Sequence, residues 1–151
     1  MIECKNGLFH LKNHNLSYLF RVTRYGLLEQ LHFGVPVDTG DVEALACRPG
    51  LGWGGSLLLN DADSASCSDS IPLVWSGSGR GDFRESPLEM DGKSTNFSYV
   101  NHRVLKEAPA MECSLPQSHG AKEMLEITLE QKNARIYLYF CLFDSAITRR
   151  T

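Results

Sequence analysis

"MLEITLEQ" occupies residues 124–131 and, after Lys132-Asn133, "ARIYLYFCLF" occupies 134–143. In the first stretch Leu125, Ile127 and Leu129 alternate with Glu126, Thr128 and Glu130, the period-two pattern of a strand with one face on a core and the other toward water. Lys132 and Asn133 read as a two-residue turn. The returning stretch is apolar or aromatic at nearly every position, as in a strand covered on both faces. Tyr137, Tyr139 and Phe143 therefore predict a further layer over that strand. If strands that should supply it are missing, apolar area and an unpaired sheet edge stay open, and the chain is expected to self-associate.

The same period recurs outward from this hairpin, and no segment carries a sustained helical stripe, so the fold class is all-β, an antiparallel β-sandwich. Leu16, Tyr18, Phe20 and Val22 share one face of a strand, opposite Ser17, Leu19, Arg21 and Thr23. Tyr25-Gly26 reads as the turn to a second strand over 27–33, with "FHL" at 9–11 pairing alongside. Residues 38–80 differ: rich in Gly, Ser and Asp, they predict a long connection with little regular structure, and loops of that length are usually functional or docked. "AITRRT", 146–151, begins another alternation, which predicts that the domain continues beyond it.

At 151 residues, with 42% apolar and 22% charged side chains, the chain suits one globular domain that needs no covalent staples. A net charge of -3 with scattered Lys and Arg offers no footprint for nucleic acid. The N-terminal stretch shows neither a secretion signal nor a membrane span, which places the expected location in the cytoplasm. Cys4, Cys47, Cys67, Cys113 and Cys141 are odd in number and contain no C-x-x-C pair, so packing thiols are expected rather than a disulfide framework or zinc site.

Residues 80–82 spell Arg-Gly-Asp, a tripeptide gripped by cell-surface receptors on matrix proteins, but a cytoplasmic chain has no use for it and the pattern is short. Asp61-Ala62-Asp63-Ser64 starts like a calcium loop without its glycine and closing glutamate. His10 and His14, four apart, straddle a strand end and a turn and do not present two nitrogens to one metal. No phosphate-binding or nucleophile-elbow motif is present, and no cofactor is expected. Glycoside hydrolysis needs two converging carboxylates, and the spacing of Asp61, Asp63, Asp82 and Glu85 forces no such pair. Trp53, beside Gly and near Asp and Asn, is suited either to stacking on a sugar or to packing its loop on the sandwich, whereas Trp75 in "IPLVW" is expected in the core.

Taken whole, "WSGSGRGDFRESPLEM" (75–90) resembles a signature near the N-terminus of the α-galactosidases of glycoside hydrolase family 36, where Gly-Asp-Phe-Arg or Gly-Asp-Tyr-Arg precedes Glu. "FHLKNHNLSYLFRV", "GLLEQLHFGVPV", "FSYVNHRVLKEAP", "KEMLEITLEQ" and "SAITRR" resemble that family's segments in the family's order. The resemblance covers nearly the whole chain. It implies that residues 1–151 are the first part of an N-terminal β-supersandwich preceding a (β/α)8 barrel. The two catalytic aspartates of that family belong to the barrel and act with retention, so no catalytic residue is carried over. The resemblance further implies α-galactosides as substrates of the full-length enzyme and a homo-oligomer. In tetrameric relatives a loop in the place of residues 47–70 reaches a neighbour's active-site entrance. "GLGWGGSLLLNDADS" departs from the Asp- and Arg-bearing pattern of those members. Substrate-contact candidates are Trp53, Asp61, Asp63, Asp82 and Arg84, the last two equally suited to tying a turn to backbone. A free-standing sugar-binding or assembly module is the alternative.

Overall fold

The computed structural model describes residues 1–46, 58–60, 62–63, 66–67, 71–77, 86–107 and 119–151. Two four-stranded antiparallel sheets account for it. Strands β1 (Ile2–Lys5), β2 (Leu8–Lys12), β3 (Ser17–Val22) and β4 (Leu28–Gly34) pair in chain order in sheet 1. Strands β5 (Ser98–Leu105), β6 (Glu123–Gln131), β7 (Ala134–Leu142) and β8 (Ile147–Arg150) do so in sheet 2. The all-β expectation holds, and every strand connection within a sheet is between neighbours.

Turn chemistry sets the registers. Gln131 pairs with Ala134, leaving Lys132-Asn133 as the loop, with Lys132 at a φ of 49°. The β3–β4 turn ends at Gly26, whose φ of 74° favours a residue without a side chain. Strand β1 and its turn are not among the expected elements, although Asn6-Gly7, both at positive φ, is the preferred sequence for a two-residue hairpin loop.

Alternation places Phe9, Leu11, Tyr18, Phe20 and Leu28 of sheet 1 against Leu125, Ile127, Leu129, Leu138 and Phe140 of sheet 2 in one core. Phe20 and Phe140 meet at 4.9 Å between ring centroids, across the sandwich. Trp75 packs into the same cluster, as expected. Polar staples tie the sheets at both ends. Asn13 Nδ2 donates to the carbonyls of Phe143 (2.9 Å) and Ala146 (3.3 Å), and the Tyr99 amide donates to the Gly26 carbonyl at 2.9 Å.

Strand β7 is buried on both faces over most of its length, as its composition predicts. Tyr139 is 9% exposed and Cys141 is buried on the outward face, in a second cluster with Met124 that Leu105, Ala121 and Phe143 flank. Of the three aromatic residues expected to need cover, Tyr137 is the most open, at 40%. Glu126 and Thr128, expected in water, are buried too. Glu126 stands there because Arg103 on β5 reaches over it, Nε to Oε1 at 2.6 Å and Nη2 to Oε2 at 2.9 Å, supplying a paired charge in place of hydration.

Cys4 and Cys141 are free thiols, and Cys67 is buried. Burial pushes the Cys4 thiol up, away from the reactive thiolate. Among the described residues no helix is long and apolar enough to cross a membrane.

Candidate functional site

The outward face of sheet 1 is also more buried than its polar residues suggest. Two ion pairs fix the chain that follows β4 near this sheet: Lys12 Nζ to Asp38 Oδ1 at 3.1 Å, and Arg21 to Glu43. Glu43 opens a single 3-10 turn, Glu43–Leu45, which Asp41 starts by accepting a hydrogen bond from the Ala44 amide.

At the β3–β4 end of the sheet lies a cleft of about 670 Å³. The turn that forms one wall is locally determined. The Thr23 hydroxyl accepts from the amides of Tyr25 (3.3 Å) and Leu27 (3.1 Å), and the Gly26 amide donates to the Thr23 carbonyl. This closure leaves Arg24 and Tyr25 projecting from the turn.

Asp63 meets them there. It sits in the turn of a small bridged loop, where Leu58 pairs with Cys67, the Asn60 side chain accepts from the Ala62 amide, and the Asp63 amide donates to the Asn60 carbonyl. Its carboxylate, 8% exposed by residue, accepts from Tyr25 Oη at 2.7 Å and from Arg24 Nη2. The Arg24 guanidinium also lies 5.3 Å from the Tyr25 ring centroid. The hydrogen bond to Asp63 pushes the Tyr25 phenol above its usual range, and the same carboxylate raises Arg24 further.

The opposite wall holds a second group. Arg21 Nε donates to Glu29 Oε2 at 2.8 Å, with Glu29 wholly buried, while its two terminal nitrogens face Glu43. Glu43, then Glu29, hold the guanidinium charged against the opposing effect of burial. Every carboxylate lining the described cleft therefore contacts a guanidinium.

Of the residues expected to touch substrate, Asp63 is thus placed on the cleft wall, already engaged by Arg24 and Tyr25. Trp53, Asp61, Asp82 and Arg84 lie outside the described residues, as does the Arg80-Gly81-Asp82 tripeptide. Arg21, Arg24, Tyr25 and Glu43, absent from the sequence expectation, complete the site. Arg24 and Tyr25 carried the signal of a charged, aromatic hairpin turn; Arg21, on β3, and Glu43, in the 3-10 turn, carried none. His10 is buried and His14 exposed, and no group of metal-ligating side chains occurs among the described residues.

No protein-family model matches the chain. It is 28% identical over 140 residues to α-galactosidase Mel36A of Lactobacillus acidophilus and 34% identical over 82 residues to α-galactosidase 1 of Pediococcus pentosaceus. The first match covers 87% of this chain, the second 54%. The chain spans only 19% and 11% of those two proteins. Among solved structures, the galactosidase domain of an α-galactosidase–sucrose kinase superposes with a TM-score of 0.82 over 99% of this chain and 22% of its own, at 20% identity. A family 36 α-galactosidase of Geobacillus stearothermophilus, solved in complex with stachyose, gives a TM-score of 0.75 at 27% identity, covering 94% of this chain and 21% of its own. The resemblance drawn from the sequence holds in both comparisons: this sandwich is the fold of about a fifth of such a protein.

Proposed function

We propose that the chain is the N-terminal, non-catalytic β-domain of a retaining α-galactosidase that releases terminal α-galactosyl residues from raffinose- or melibiose-type oligosaccharides. In this reading a (β/α)8 barrel supplies both catalytic aspartates, and the sandwich supports assembly of a cytoplasmic homo-oligomer and borders its active-site entrance. The observation that carries the reading is the match of nearly this whole chain to about a fifth of α-galactosidase chains, in sequence and in fold.

The chemistry of the cleft supports a non-catalytic role. Retaining hydrolysis requires one carboxyl that holds a proton and a second that is free to attack, roughly 5–5.5 Å away. A carboxylate beside a guanidinium gives up its proton readily and is a poor general acid. Glu29, Glu43 and Asp63 are all so placed, and Asp63 also accepts from Tyr25. They are built to hold walls together.

The purified chain should therefore leave a chromogenic α-galactoside unhydrolysed. Turnover that co-purifies with the chain and is lost on Asp63→Asn would place the chemistry in this cleft and refute the proposal.

A further inference from the structure

We infer that the cleft over sheet 1 is itself a binding site for a neutral, hydroxyl-rich ligand, a mono- or oligosaccharide. The argument begins with what the walls exclude. Lys5, Arg21 and Arg24 stand against Glu29, Glu43 and Asp63, so the described lining carries no net charge. The two arginines are already neutralised in contact pairs. Apart from Lys5, the charged groups of the described lining are paired with one another, so these walls give an entering anion or metal ion little field to offset its lost hydration.

What remains suits a sugar. Lys5 contributes an exposed ammonium that no carboxylate of the described residues pairs with. Thr39 and Ser66 add hydroxyls, and Arg24, largely exposed, keeps donors beyond the one given to Asp63. Between these polar groups Leu8, Val22, Val42 and Ile71 provide apolar patches. A pyranose presents the same mixture, hydroxyls around a C–H face. The volume of about 670 Å³ lies within the roughly 300–1,000 Å³ of small-molecule clefts. Because the ion pairs pre-set both walls, binding orders few side chains.

This inference deepens the α-galactosidase reading by giving the domain a sugar contact of its own, and it relies on that reading only for the first sugar to try. The test uses amide NMR of the isotope-labelled 151-residue chain, titrated with melibiose and, separately, with mannitol and inorganic phosphate. Melibiose should produce saturable shifts confined to the amides around Lys5 and Thr23 to Tyr25. The double substitution Lys5→Ala and Thr39→Val should weaken them about tenfold while leaving the rest of the spectrum in place. No saturable shift up to the solubility limit of the sugar, shifts located elsewhere, or tighter binding of phosphate than of melibiose would each overturn the inference. No turnover is involved, so failure of the enzyme reading would appear separately, in hydrolysis assays.

Discussion

His10 and Ser17 form a buried polar pair across β2 and β3, with Nε2 of the imidazole 2.5 Å from the serine Oγ, on the face of sheet 1 turned away from the core. The pair explains how a histidine is tolerated there: its ring nitrogen keeps a partner after losing water. Ser17→Ala should strand that nitrogen and cost about 1–3 kcal/mol, read as a lower urea midpoint with an unchanged slope.

The burial of His10 makes stability pH-dependent with a definite sign. Burial lowers the His10 pKa from its ordinary 6.5, with Glu3 and Asp38 opposing and Lys12 and His32 adding to the shift. A depressed folded-state value means that the unfolded chain takes up the proton first as pH falls. The His10 contribution is thus fully present above 6.5 and is lost as pH drops from there toward the folded value. Urea midpoints measured from neutral to mildly acidic pH should show this loss, and His10→Gln should flatten that part of the profile.

Phe9 touches rings from both sheets: Phe20 at 5.0 Å on its own sheet, and His102 at 4.9 Å and Tyr99 at 6.2 Å on β5. Phe9→Ala removes a wholly buried side chain at that junction and should cost about 3–5 kcal/mol, enough to lower the melting temperature sharply.

Gly77 passes so close to the chain that a Cβ there would lie 2.6 Å from the Thr95 carbonyl oxygen. The obstacle is backbone, so the segment leading into β5 would have to move. Gly77→Ala should destabilise by about 1–3 kcal/mol, the usual range for forced overpacking, whereas Gly40→Ala, with open space around its Cβ, should not.

These residues show where sequence pattern suffices and where it stops. Leu125, Ile127 and Leu129 were legible as core because a strand's faces alternate regardless of what packs on them. The turn at Gly26 was legible from its residue type. Burial of Glu126 was not, because the charge is admissible only with Arg103, and nothing local marks a partner 23 positions away. The cleft was half legible. Asp63 was singled out as an acid in a polar loop, but its partners Arg24 and Tyr25, more than 35 positions upstream, reach it only through the fold. Ion pairs between a hairpin turn and a distant loop leave no periodic trace.

The most direct test of the account is a graft. In α-galactosidase Mel36A of Lactobacillus acidophilus, the segment that aligns with this chain, 19% of that protein, would be deleted in one variant and replaced by this chain in another. Hydrolysis of melibiose by both would then be compared with the parent enzyme. The account predicts that the deletion is inactive and that the graft recovers turnover, because in the proposed reading the sandwich supplies structure while the remainder supplies the chemistry. A soluble, folded graft as inactive as the deletion would contradict it.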